Sequence, residues 1–319
     1  MREKRTFGQR TNLLATEGKL VEGRKGFFLV FEGDKTEEIY FTAMEKLKGE
    51  IGISPLIELI PIEKSYSERN WSNPKKIVDR VLKDLDDIQN GIVNYETLLN
   101  YIVEYLSNNE KSFSQISKEI IWNCLKDVCN NNHKVNLNDS VDNMELQCEQ
   151  ILHFINERLE VELEINSVKE KILAMESEMR ISYDKDFDIM CLIVDRDKGS
   201  FFENTKSNQY QYVVKRCQEN NFKLCVTNPC FEFWLLMHYD EVLSLDRDKI
   251  LKNEKITTKK RFTEYELKKL LKNYKKSKYD AEELIRKMDI AIKNEKSFCE
   301  DIFIAKHVIM QAFYAILFM

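Results

Sequence analysis

Two short apolar runs in this chain end in acid. Phe27-Phe28-Leu29-Val30-Phe31 leads into Glu32-Gly33, and Ile189-Met190-Cys191-Leu192-Ile193-Val194 leads into Asp195-Arg196-Asp197. Alternate residues of an extended segment point to the same side, so Asp195 and Asp197 can face one ion while Arg196 turns away. Three carboxylates brought together are costly unless a cation neutralises them. Oxygen ligands with partial solvent access suit Mg²⁺, or Mn²⁺ in its place, and such an ion can hold a phosphate and activate a water. Glu32, Asp195 and Asp197 are therefore the candidate metal ligands. Glu32 is alternatively a general acid or base.

A fourth acid, Glu232, stands in Asn228-Pro229-Cys230-Phe231-Glu232-Phe233-Trp234, an almost wholly apolar context. An unpaired carboxylate is expensive there. Glu232 must find a cation, a helix terminus or a basic side chain, or else its pKa rises; a structural salt bridge is the plain alternative. Lys35 would put a cation beside the acids, or else is a solvated first-turn lysine. Gly33-Asp34-Lys35-Thr36 is no phosphate loop, because Asp34 interrupts the Gly-Lys-Thr order and no second glycine lies upstream at the required spacing. His238 reads as a packed core histidine, and the other three histidines are too scattered for a triad. Serine-elbow, zinc-helix and dinucleotide-fingerprint patterns are missing.

The apolar runs read as buried strands of a parallel sheet, whose carboxyl ends are where ligands bind in open α/β folds. Thr36 to Leu47 reads as a helix with Thr36 as its N-cap, and Ile39, Tyr40, Ala43, Met44 and Leu47 form its apolar stripe. Pro55 to Ile62 reads as a second strand, and Asn73-Pro74 opens a second helix with Asn73 as cap. Residues 93–180 change to sustained helical spacing, with a polar break at Asn130–His133, and read as a helical insertion. Strand and helix alternation resumes at Phe187, with a helix from about Asn208, a strand at Phe222–Val226 and a buried helical segment at Cys230–Tyr239. Three helices should complete the chain. The expected organisation is a core in two parts, 1–92 and 181–245, a helical insertion at 93–180, and a helical C-terminal region at 246–319.

Composition bounds the function. With 319 residues, 32% charged and 43% hydrophobic, the chain has enough core to fold alone. Its apolar runs are too short to span a bilayer, and the N-terminus lacks the apolar core of a signal peptide, so a cytoplasmic protein is expected. The eight cysteines form no CxxC pair and read as reduced thiols serving as small hydrophobes. Net charge is −5, yet from Lys249 to Lys278 twelve lysines and arginines face only Glu254, Glu264 and Glu266. Such a stretch can supply phosphate contacts within an acidic protein, or be a solvated helix face. We expect the former, within reach of the acids.

Three segments together resemble the signatures of RloB-like proteins. They are Phe28-Leu29-Val30-Phe31-Glu32-Gly33-Asp34-Lys35-Thr36-Glu37 with Tyr40-Phe41, then Val194-Asp195-Arg196-Asp197, then Asn228-Pro229-Cys230-Phe231-Glu232-Phe233-Trp234-Leu235-Leu236. The last is the most specific. Thr227 stands where the family usually has Ser, and residues 93–180 lie outside the resemblance. That family is similar to Toprim domains of topoisomerases, primases and nucleases, where a Glu after the first strand and an Asp-x-Asp after a later one hold Mg²⁺ for phosphodiester chemistry. The resemblance implies a Toprim-like, mostly parallel sheet flanked by helices, and a Mg²⁺-dependent nuclease serving in antiviral defence, in which Glu32, Asp195, Asp197, Glu232 and Lys35 carry the chemistry. It implies DNA or RNA as substrate, tRNA included, and an ATPase as partner; a homo-oligomer is compatible with it. The competing reading is a non-catalytic Toprim-like module that senses a nucleotide or docks on an ATPase.

Overall fold

The computed structural model describes residues 6–7, 25–33, 35–62, 64–67, 73–181, 183–196, 209–258 and 260–298. Its contacts divide the chain into two units. One comprises Met1–Asn12, Lys64–Asn70 and Val81–Tyr183; the other comprises Leu13–Glu63, Trp71–Arg80 and Asp184–Met319.

The second unit holds the sheet. Strands β2 (Lys25–Phe31), β3 (Ile57–Ile62), β5 (Ile189–Asp195) and β6 (Lys223–Thr227) lie in the order β3-β2-β5-β6, every pair parallel. The fold is α/β, as the apolar runs implied. Register pairs Leu29 with Cys191 and Asp195 with Thr227, so the strands end level on one edge. Gly26 lets the Asp188 carboxylate close on its own N–H at 2.8 Å, at the opposite edge.

One sheet face, carrying Phe27, Leu29, Phe31, Cys191, Ile193 and Cys225, packs on α1 (Thr36–Leu47) and on the short helix that follows β6. Phe31 and Phe41 stack with ring centroids 5.4 Å apart, and Tyr40 meets Phe231 and Trp234 edge-on. On the other face Val194 and Val226 pack with Tyr210, which opens the helix Gln209–Glu219. Both faces are covered, which is why the strands read as unbroken apolar runs.

The other unit is helical, apart from a two-residue parallel pairing of β1 (Thr6–Phe7) with β4 (Arg180–Ile181). After α2 (Pro74–Gln89) come α3 (Tyr95–Asn109), α4 (Lys118–Asp127), α5 (Met144–Arg158) and α6 (Ile165–Met179). Asn94, Ser117 and Asn143 cap α3, α4 and α5, each accepting an N–H three residues on. Leu98, Ile102, Ile121, Leu125, Ile151 and Ile172 are fully buried between them.

Three local expectations need correction. Thr36 is the first residue of α1, not its cap; Lys35 holds the cap position without a side-chain bond, and Thr36 Oγ1 donates instead to the Lys276 carbonyl at 3.1 Å. Asn130–His133 is no loop but part of a π-helical turn, Val128–His133, that prolongs α4 and stops at Lys134 with φ 52°. The region after Tyr239 has four α-helices among the described residues, not three. With α7 (Gln209–Glu219) and α8 (Phe231–Leu236) preceding them, they are α9 (Arg247–Lys252), α10 (Phe262–Leu270), α11 (Ala281–Ile285) and α12 (Met288–Glu295). Asn253 and Asn273, both left-handed, break the chain there, and the Asp280 side chain starts α11. Asparagine tolerates that conformation without glycine, which hides the breaks from a search for Gly and Pro.

Candidate active site

The site lies at the carboxyl ends of the parallel strands. Glu32 directly follows β2, and its N–H continues the sheet by donating to the Ile193 carbonyl at 3.0 Å. Its Oε2 accepts the main-chain N–H of Asp195 at 2.8 Å. Asp195 is the last residue of β5, and its Oδ1 takes the hydroxyl hydrogen of Thr227, the last residue of β6, at 2.5 Å. Three neighbouring strand ends thus lock two carboxylates in place through one another.

Glu232 joins them from the first turn of α8. It is 4% exposed, and Lys276 reaches it with Nζ 2.6 Å from Oε1 while the Tyr274 hydroxyl donates to the same oxygen at 3.4 Å. Asp195 and Glu232 help line a cavity of about 220 Å³, together with Lys252, Arg261, Thr263 and Lys276.

The electrostatics separate the two acids. Burial pushes the Asp195 carboxyl well above the usual range, and the charges of Glu37, Glu232 and Glu32 push it further, against the opposing effect of the Thr227 hydroxyl. Burial likewise works against the Glu232 charge, but the Lys276 ammonium beside it more than compensates and holds Glu232 below its ordinary value. Lys276 is raised in turn: its own desolvation is outweighed by the Glu232 carboxylate. Asp195 is therefore the acid whose charged form is the more costly of the two.

Among the residues proposed from sequence, Glu32, Asp195 and Glu232 are brought together. Asp197 lies outside the described residues. Lys35 is exposed at the start of α1 and is not among the cavity-lining residues. Sequence reasoning missed Glu37, Thr227 and the specific role of Lys276. Glu37 had a signal: it falls on the apolar stripe of α1, four residues before Phe41, and is 5% exposed. Its carboxylate presses on Gly33, where a Cβ would collide with it. Thr227 was noted only for standing where the family usually has Ser, and Lys276 only as one of a basic stretch; the role of each depends on a partner far along the chain.

Cys230 is buried. Burial first, then Glu232 and Asp195, push its thiol well above normal, and Sγ sits 3.2 Å from Thr263 Oγ1. His238 is fully buried; Nδ1 faces the Trp234 and Leu235 carbonyls at 3.2 Å, which places the proton there and leaves Nε2 to accept from the Tyr40 hydroxyl at 3.0 Å.

Among the described residues no three His, Cys, Asp or Glu side chains are grouped to enclose a metal ion. Mg²⁺ asks for less, since one or two carboxylates suffice when waters and substrate phosphates complete its shell. Glu32 and Asp195, hard oxygen donors at adjacent strand ends, fit such an ion. No helix among the described residues is long and apolar enough to cross a membrane.

A family model described as RloB-like protein matches residues 27–307 of the chain. No curated protein and no solved structure matches it.

Proposed function

The chain belongs to the RloB-like family, and from that premise and the acidic strand-end site we propose that it is a Mg²⁺-dependent nuclease with a Toprim-like core, acting as an antiviral defence effector. One observation carries the reading most. Asp195, half-buried, lies within electrostatic reach of Glu37, Glu232 and Glu32, like charges that raise the cost of its own and that a cation would offset. Asp195 and Glu32, with Asp197, would hold the ion, which would offset charge on a phosphate and lower the pKa of a water.

The chain's own groups have definite tasks in this scheme. The Thr227 hydroxyl fixes the Asp195 carboxylate, and Glu32 fixes the backbone that carries it. Lys276 keeps Glu232 ionised in an apolar setting. Hydrolysis is favoured over transfer to a tyrosine, because burial raises the hydroxyl pKa of Tyr274, which donates to Glu232, and of Tyr279, and so disfavours both as nucleophiles.

A second reading, a module that binds without cleaving and works with an ATPase, draws on the Lys276–Glu232 pair, an internal cation already seated among the acids. Purified protein incubated with Mg²⁺ and plasmid DNA, single-stranded DNA or tRNA separates the two. We expect cleavage of at least one substrate, lost by 100-fold or more in Asp195→Ala. Cleavage that survives the substitution, or none on any substrate, would overturn the nuclease reading.

A further inference from the structure

Lys35, the cation that the sequence places beside the acids, is exposed at the start of α1 and is not among the cavity-lining residues. Lys276 stands there instead. Its Nζ lies 2.6 Å from Glu232 Oε1, and it lines the cavity together with Asp195. The pair is lopsided: the Glu232 side chain is 6% exposed and that of Lys276 61%. Water at an exposed ammonium weakens its attraction to a carboxylate, so the pair is loosely closed on the lysine side. An ammonium carries three N–H donors. Among the described residues, Glu232 is the one group that meets the Lys276 ammonium, which leaves two donors for a ligand that enters the cavity.

The backbone under Lys276 is held from two directions. Within the turn between α10 and α11, Lys275 and Lys278 exchange both main-chain hydrogen bonds, at 3.0 and 2.8 Å. From outside the turn, Thr36 Oγ1 donates to the Lys276 carbonyl at 3.1 Å, and the Tyr279 hydroxyl donates to the Thr36 carbonyl at 2.6 Å. Thr36 is itself 7% exposed and stands four residues after Glu32. An exposed lysine is thereby fixed to the same frame as the strand-end acids. Pinning a binding group in advance lowers the ordering cost that a ligand meets on arrival.

Size and charge agree with a phosphate as that ligand. The cavity's 220 Å³ is room for roughly seven waters at ~30 Å³ each, enough for a phosphate group. Such a group is repelled by the acids and needs a cation placed in advance among them. A lysine is charged at neutral pH, and its compact ammonium binds phosphate as a point charge.

We propose that Lys276 is a catalytic residue that contacts the substrate phosphate: Glu232 pins its ammonium through one donor, and the phosphate takes another. Glu232 is then a positioning residue, which aims the lysine. The ammonium keeps its protons, and its part is charge and hydrogen bonding, with no bond made or broken at it. The substrate class is a phosphate ester. The proposal rests on the nuclease reading only in narrowing that class to a phosphodiester; binding at Lys276 needs neither a metal ion nor cleavage.

The test is calorimetric titration of inorganic pyrophosphate into the full chain in EDTA, where nothing can be cut. Wild type, Glu232→Gln, Lys276→Met and the double variant form a cycle, with thermal melts to show that each is folded at the titration temperature. The decisive comparison lies in the Glu232→Gln background, where removing the lysine strands no carboxylate. There we expect Lys276→Met to weaken pyrophosphate 10-fold or more, because the lysine meets the anion itself. Glu232→Gln alone should bind about 3-fold tighter than wild type, since a repelling charge is gone. Lys276→Arg should stay within about 3-fold of wild type, and the remote Lys293→Gln should change nothing. If Lys276→Met has no effect in the Glu232→Gln background, the lysine serves Glu232 alone and the proposal falls. It falls equally if Lys293→Gln loses as much binding as Lys276→Met, or if neither wild type nor Glu232→Gln binds pyrophosphate at about 10 mM. Binding that depends on Lys276, with no Mg²⁺-dependent cleavage of any substrate, would keep the phosphate contact and remove the nuclease. Cleavage that Asp195→Ala abolishes and Lys276→Met leaves intact would do the reverse.

Discussion

At the scale of single residues the site is a problem of unequal neighbours. Asp195, Glu32, Glu37 and Glu232 share one strand-end region, and Lys276 is ion-paired with Glu232 there. Lys276 is itself 61% exposed, so the pair is part solvated and weaker than one enclosed in the core. Lys276→Met should still destabilise the protein by about 1–2 kcal/mol, because it leaves a carboxylate in an apolar pocket without its cation. Adding Glu232→Gln should restore most of the loss. Urea midpoints of the two single variants and the double variant measure this, and an unchanged midpoint in Lys276→Met would show that the carboxylate is satisfied by other groups.

Elements decide how those residues stay in place. The turn that carries Lys276 is closed by the bridge between Lys275 and Lys278 and is fastened to the N-terminus of α1 at two points. Thr36 Oγ1 donates to the Lys276 carbonyl at 3.1 Å, and the Tyr279 hydroxyl donates to the Thr36 carbonyl at 2.6 Å. This is what the missing cap of α1 is used for: a threonine shifted one place into the helix reaches across instead of back. Tyr279→Phe and Thr36→Val should each cost about 1 kcal/mol of stability. Their effect on cleavage should exceed that of a surface control of equal stability cost, since they release the cation that sets Glu232. If activity follows stability alone, the clasp is only structural.

Over the whole sheet-bearing unit, stability has an acid limit built into its core. His238 is fully buried among Tyr40, Trp234 and the end of α8, and burial drives its pKa down to about 3. An unfolded chain has that imidazole near 6.5, so between about 6.5 and 3 the unfolded state binds a proton that the folded state does not. Folding stability contributed by His238 is therefore complete above pH 6.5 and is lost as pH falls, by at most about 1.4 kcal/mol per unit. Urea titrations from pH 7 to pH 5 should show this decline, and His238→Gln should flatten it at the cost of lower stability at pH 7. An equal slope in both proteins would place the acid sensitivity in other groups.

Much of this was legible along the chain. Apolar runs covered on both faces can only be buried parallel strands, so the sheet, the acids at its ends and the helical spacing of 95–179 follow from local pattern. Glu232 in an apolar segment announced that it needed a partner, for the same reason that any buried charge does. What the local pattern could not contain is which partner. Lys276 lies 44 residues downstream among eleven other basic residues of its stretch, and nothing in its own neighbours distinguishes it. Thr227 meets Asp195 only because β5 and β6 pair in one register, and Glu37 becomes part of the site only because α1 packs its stripe against the sheet. Two of the breaks between the described helices after Tyr239 fall at asparagines in the left-handed conformation. Backbone pattern depends on neighbours a few positions away and can be read in order. Pairing of charge with charge depends on where the chain returns, and only the folded molecule decides that.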